Sequence, residues 1–219
     1  GIGRDEQDAY AVRSHRLVHA AYESGAHEGF VVPLEGVARD EALRPEASPE
    51  SLGALRPAFT ADGAVTAGNS SPINDGALAT LVGTADAAAE LGVEPIARIV
   101  GSRTVAVSPE LFAVAPVPAI RQLLERQGLA VDDIDLWEIN EAFAAMVLSV
   151  LHDLPDLDPA KVNVNGGAIA IGHPLGASAP RVVVDLAREL ARRGGGLGVA
   201  AACIGVGQGT ALLVEVPRR

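Results

Sequence analysis

From Ile96 to Val216 the sequence switches back and forth between two hydrophobic periods, and no other feature constrains the fold as tightly. "IARIVGSRTVAV" and "DIDLWEI" alternate as strands do, whereas "PAIRQLLERQGL" and "EAFAAMVLSVL" carry apolar residues at helical spacing. Further on, "SAPRVVVDLARELARRGG" reads as a helix opened by Ser178 and Pro180, and "GVAAACI" and "TALLVEV" read as strands. Such alternation predicts an α/β fold built in layers. In the helix at 180–193, Val183, Leu186, Ala187, Leu190 and Ala191 form one stripe. Val182 and Val184 widen it, which predicts cover on more than one side near its start.

The first ninety residues have a different texture. Arg4 to Ser24 reads as a helix with acids in its first turn, apolar positions at Val12, Leu17 and Ala21, and a stop at Gly25. Residues 26–60 carry prolines at 33, 45, 49 and 57 and weak periodicity, as in an ordered excursion rather than a core layer. From Val65 the pattern recovers. Ser71 and Pro72 are spaced as a helix cap and first-turn proline, and a strand and a second helix are expected to follow, ending near Gly92.

Composition narrows the function classes. A formal net charge of −11, with Lys161 the only lysine, disfavours nucleic acid, whose binding rests on clustered cations. A small anionic ligand held by a few arginines remains compatible. With 3% aromatic and 48% hydrophobic residues, the interior must be built of Ala, Val, Leu and Gly. The sequence shows neither a membrane-spanning run nor a signal peptide, and one cysteine makes no internal disulfide, so a cytoplasmic location is expected. The chain opens on Gly1 rather than Met, as a processed or excised piece does.

Four familiar patterns fail on context. Gly205-x-Gly207-x-Gly209 follows a strand but precedes another strand, whereas a dinucleotide site needs a helix there. His15 and His19 share a helical face, yet Arg16 stands where a zinc protease needs Glu, so a solvated face is expected and no metal. Lys161 has no glycine-rich run before it, which excludes a P-loop. "NSS" at Asn69 matches a glycosylation acceptor without any sign of secretion.

Three segments survive. In "VNVNGGAIAIGHPLGASAPR" glycines interrupt a strand-like run before His173, which suits either close approach by a ligand or a tight turn with a satisfied histidine. Asn140 stands at a strand-to-helix junction, as a cap or as a site residue. Cys203 ends an apolar strand, as a small buried hydrophobe or as a proton-handling thiol, with the Gly205 N–H available to a substrate oxygen. A thiol, an imidazole and an amide together point to acyl chemistry.

"NEAFA" from Asn140, "NVNGGAIAIGHPLGAS" ending at Ser178, and Cys-x-Gly-x-Gly-x-Gly from Cys203 resemble the three C-terminal signature segments of the thiolases, in order. "RPAFTADGAVTAGNSSPINDGA" from Arg56 resembles the segment closing the family's loop domain. The resemblance implies a thiolase-like layered fold, αβαβα in the full enzyme. It divides the chain into a partial loop domain (1–64), the last strand and helix of the N-terminal half (65–94) and a C-terminal half (95–219).

It also implies chemistry on coenzyme A thioesters as substrates, with no permanently bound cofactor. Cys203 would exchange the α-proton, and His173 would activate a second, nucleophilic cysteine and donate to the thioester oxygen. Asn140 would hold a water at that oxygen, and the Gly205 N–H would serve a second oxyanion hole. Ala67 and Ser71 would line the pantetheine channel, Phe59, Ala142 and Phe143 would supply apolar contacts, and Arg44 would meet the nucleotide phosphate.

Ala179-Pro180-Arg181 in place of the family's Gly-Ala-Arg, the missing Gly-x-Gly before Pro116, and Met146 for a common glutamine are departures that remove no catalytic group. The family's nucleophilic cysteine belongs to a segment this chain does not match, so the 219 residues alone are expected to be inactive. The expected partners are acyl-CoA, an N-terminal thiolase half from the same gene or a separate subunit, and further copies in a homo-oligomer. A noncatalytic thiolase-like subunit that binds acyl-CoA or scaffolds another enzyme is the alternative.

Overall fold

The computed structural model describes residues 1–218, which divide into two compact units. The first unit comprises residues 1–75 and 139–175. Its framework is helix α1 (Arg4–Glu23), with Asp5 and Glu6 in the first turn where the helix dipole favours them. The expected core positions Val12 and Ala21 are buried. Leu17 is only half-buried and Val18 takes the inward place. The buried face is also polar, since Gln7, Asp8, Ser14 and His15 all lie on it.

The solvated face expected for His15 is therefore wrong. The ring is buried and its Nδ1 accepts the Arg44 backbone N–H at 3.2 Å, which anchors the excursion that follows α1. A donor 29 positions along the chain is invisible to local periodicity. That excursion contains one short helix, α2 (Pro49–Gly53), begun by a reciprocal Ser48–Ser51 capping box with proline in its first turn.

The second unit comprises residues 76–138 and 176–218. It holds helix α3 (Ala85–Leu91), strand β1 (Arg98–Ala106), helix α4 (Pro116–Gln127) and, at its edge, strand β2 (Leu136–Ile139). The first unit then takes helices α5 (Ala144–Asp153) and α6 (Ala168–Ile171). Helix α7 (Leu175–Arg192) and strands β3 (Gly196–Ile204) and β4 (Gln208–Val216) follow.

The four strands form one sheet in the order β1-β4-β3-β2. β4 runs antiparallel to both β1 and β3, and Cys203 is paired with Gly209. Side chains of paired residues share a face, which places α4 and α7 on opposite sides of the sheet. A Cβ on Gly209 would strike the Ala115 carbonyl at the start of α4, and one on Gly101 would meet Leu123 and Gln127 of that helix. One on Gly198, which has the other parity, would lie 2.8 Å from Leu186 and Leu190 of α7. Helix, sheet and helix therefore make the layers that the alternating periods predict.

Two local expectations fail. Helix α7 begins at Leu175, so Pro180 lies inside it, beyond the first turn. Val182, Leu186 and Leu190 are buried, whereas Val183 and Val184 are half-exposed and Ala191 is exposed. Between 65 and 94 the only helix is α3, and residues 71–84 form neither the expected strand nor a helix. Ile73, Leu81 and Val82 are 88%, 77% and 74% exposed. A strand needs a continuous hydrogen-bonding neighbour, and among the described residues this segment's backbone bonds stop at Ser71 and Pro72, with none at positions 73–83.

Candidate active site

In the first unit three distant pieces of sequence are sewn together by one strap, residues 69–74. The Asn69 carbonyl accepts the Ala144 N–H at 2.9 Å. Ser71 donates to the Ala142 carbonyl through both its N–H (3.1 Å) and its Oγ (3.0 Å). The Pro72 carbonyl accepts the His173 N–H at 2.8 Å, and Asn74 Nδ2 donates to the Ile171 carbonyl at 3.0 Å. Ser71 is thus no helix cap; it ties the strap to the turn that follows Asn140. The strap itself is held by Asn69, whose Oδ1 accepts the Thr66 N–H and whose Nδ2 donates to Asp8 of α1.

Asn140 and His173 therefore stand on two turns bound to the same strap. Asn140 is 2% exposed and its Oδ1 has no hydrogen-bond partner. Capping is excluded, because Phe143 occupies the cap position of α5. A buried amide oxygen left without a donor costs on the order of 1–3 kcal/mol, so the position calls for a water or a substrate group. His173 follows Gly172, whose φ of +96° and closeness to the Asn74 amide leave no room for a side chain. It is half-exposed.

Glu141 is the site-forming residue that sequence reasoning missed. Its carboxylate is fully buried and accepts from Tyr10 Oη (2.9 Å), Ser14 Oγ (2.6 Å), Asn163 Nδ2 (3.1 Å) and the Ile169 N–H (3.2 Å). A signal was present: a carboxylate directly before the apolar run "AFAAMVLSVL" can be buried only if donors are brought to it. Asn163 was missed as well. It holds both backbone groups of Ile139, accepting the N–H at 2.7 Å and donating to the carbonyl at 2.8 Å.

Of the apolar residues expected near a ligand, Ala142 and Phe143 lie on the Asn140 turn. Phe59 and Phe143 meet edge to face with centroids 6.2 Å apart, and Ala142 is tied to Ser71. Ala67 lies exposed in the turn held by Thr66 and Asn69. Arg44 is exposed, with its guanidinium donating to the Glu41 and Leu43 carbonyls at 2.7 and 2.9 Å.

In the second unit Cys203 is the penultimate residue of β3, and Gly205–Gly207 turn the chain into β4, with Val206 at φ +66°. The glycine run is thus a hairpin turn, as the following strand required. Cys203 is half-buried on the α4 face, and burial pushes its thiol up to about 11, opposed by a backbone hydrogen bond. It is not the near-unperturbed thiol expected from sequence. Gly205 is exposed at the tip. Among the described residues no three His, Cys, Asp or Glu side chains gather as metal ligands, and no helix is long and apolar enough to cross a membrane.

Comparison with known proteins agrees with the motifs. The family profile "Thiolase, N-terminal domain" matches residues 1–86, and "Thiolase, C-terminal domain" matches residues 93–216. The chain is 47% identical to a 3-ketoacyl-CoA thiolase of Marinobacter nauticus, across 98% of this chain and 58% of that protein. It is 48% identical to an acetyl-CoA acetyltransferase of Syntrophomonas wolfei, across 98% and 56%. The solved structure of human mitochondrial 3-ketoacyl-CoA thiolase in complex with CoA superposes with a TM-score of 0.91 at 43% identity, covering 99% of this chain and 55% of that one. The chain thus spans a little over half the length of the proteins it matches.

Proposed function

This chain belongs to the thiolase family, and on that footing we propose that it carries the enolate-handling side of a reversible Claisen condensation on coenzyme A thioesters. The observation that carries the reading is the buried, unpartnered Oδ1 of Asn140, on a turn tied through the 69–74 strap to that of His173. A water held by Asn140, with a His173 N–H, would stabilise negative charge on a thioester oxygen.

In the condensing direction Cys203 takes a proton from the α-carbon, and the electron pair left behind spreads onto the thioester oxygen. The enolate carbon then attacks an acyl group carried by a second thiol to form a tetrahedral intermediate, whose collapse breaks the acyl C–S bond and releases that thiol as thiolate. In thiolysis the Cys203 proton returns to that carbon. With its thiol raised to about 11, Cys203 rests protonated at neutral pH, the form that thiolysis consumes. The Gly205 N–H, exposed at the hairpin tip, serves the tetrahedral intermediate. Phe59, Ala67, Ser71, Ala142 and Phe143 take the pantetheine, and Arg44 takes a phosphate of coenzyme A.

Since Cys203 is the only cysteine here, the nucleophilic thiol comes from protein outside these 219 residues. The exposed Ile73, Leu81 and Val82 support an interface with such protein. The test is incorporation of deuterium from heavy water into the α-position of acetyl-CoA by the enzyme complete with its second thiol. Asn140→Ala should lower the rate on the order of 100-fold, the usual cost of an oxyanion-hole donor. The 219-residue chain alone should transfer no acyl group. Wild-type exchange in Asn140→Ala would overturn the assignment, and no exchange in the complete enzyme would favour a noncatalytic subunit.

A further inference from the structure

We propose that Glu141 is a positioning residue, whose buried carboxylate holds the Asn140 turn and the turn before His173 in register with each other. The inference rests on the enolate reading above and deepens it.

The carboxylate is met from both sides. On the Asn140 side, Asn163 clamps the backbone of Ile139 and passes its amide N–H to Oε1 at 3.1 Å. On the His173 side, Oε2 accepts the Ile169 N–H at 3.2 Å and the Ser14 hydroxyl at 2.6 Å. Ser14 Oγ in turn accepts the Gly167 N–H at 3.1 Å. Tyr10 closes the set at Oε1. Ile169 and Gly167 begin the short helix α6, which ends two residues before His173. One side chain therefore refers both turns to α1, the longest helix of its unit.

Two features distinguish this from ordinary core filling. All four donors to the carboxyl group are neutral, so hydrogen bonds and not an ion pair hold it. Folding alone would be served at least as well by apolar side chains in place of the whole set, Glu141 together with Tyr10, Ser14 and Asn163. The donor pattern also specifies an acceptor-only group. Asn163 Nδ2 is fixed as a donor because its Oδ1 holds the Ile139 N–H, and the Ile169 N–H can only donate. A glutamine would turn its own NH2 toward one of these two fixed donors in either orientation. Gly167 completes the fit, since a Cβ there would lie 2.7 Å from the Glu141 carboxyl carbon.

The experiment compares Glu141→Gln with wild type in the complete enzyme, reading α-deuterium exchange into acetyl-CoA against substrate concentration. The limiting rate should fall about 10- to 100-fold, the usual consequence of misplacing catalytic groups by a fraction of an ångström. The half-saturating acetyl-CoA concentration should change less than about 3-fold, because no coenzyme A contact is touched. Glu141→Asp, which keeps the acceptors but shortens the reach, should lie between.

A merely structural role predicts less folded protein with an unchanged rate per folded molecule, and that outcome overturns the proposal. If Glu141→Gln does not fold, Ser14→Ala removes one donor and the Gly167 acceptor without adding volume. A wild-type exchange rate in that variant would also be decisive against it. Absence of exchange in wild type would refute the enolate reading instead. The Gly167 and Ile169 amides still report the anchor in that case: they should exchange with solvent at least about tenfold faster in Glu141→Gln, and unchanged protection would overturn the anchoring.

Discussion

Because the chain has a single cysteine, the pH dependence of its alkylation reads Cys203 without ambiguity. Burial beneath the α4 face raises this thiol from its ordinary 9.0 to about 11, and the backbone hydrogen bond offsets only part of that. Two pH units mean about 100-fold less thiolate at any pH below 9, and the thiolate is the species that reacts. At pH 8 the folded chain should therefore react with iodoacetamide about 100-fold more slowly than the same chain in urea. Its pH–rate profile should reach half-height near 11, followed by mass analysis of the Cys203 peptide.

The same shift has a thermodynamic sign. The folded pKa lies above the unfolded one, so the folded state holds the proton longer. The stabilisation is complete below pH 9 and is lost as pH rises through 11, about 3 kcal/mol in all. An alkylation midpoint at or below 9 in the folded chain would refute the burial argument. It would also return Cys203 to the nearly free thiol that the sequence suggests.

Two further tests probe the scaffold. Gly209→Ala should destabilise the chain by about 3 kcal/mol in thermal or urea unfolding, because its Cβ would meet the rigid Ala115 carbonyl. Gly205→Ala, whose Cβ meets nothing within 4 Å, should stay within about 0.5 kcal/mol; equal effects would contradict the hairpin placement. His15 has its pKa lowered from 6.5 by burial, with the Arg44 charge acting the same way and Glu141 and Glu46 opposing. Its contribution is present above 6.5 and is lost as pH falls below it. The Arg44 amide should accordingly keep its hydrogen-exchange protection as pH falls through 6.5 and lose it only at lower pH, and loss of protection already at or above 6.5 would count against the buried His15 hydrogen bond.

Local pattern carried the elements whose partners are near in sequence or whose faces are simply apolar. Alternation in "IARIVGSRTVAV" and "TALLVEV" is enough for β1 and β4, and a strand after the Gly205–Gly209 run is enough to rule out a phosphate loop. Helices α1, α4 and α5 were legible from period and stops alone. The family was also legible, because the motifs around Asn140, His173 and Cys203 keep their spacing whatever surrounds them.

Tertiary structure decided which of those residues are buried and what they touch. Tyr10 and Ser14 reach Glu141 across more than 120 positions, so no window of sequence contains both donor and acceptor. His15 looks solvated until the loop bearing Arg44 folds over it, and Cys203 looks like an ordinary thiol until layers of sheet and helix desolvate it. Residues 71–84 make the converse case: their pattern suits a strand, but past Pro72 no other backbone continues the hydrogen bonding that a strand requires. Periodicity is a property of one segment, whereas burial, hydrogen-bond satisfaction and pKa belong to pairs of segments that only folding brings together.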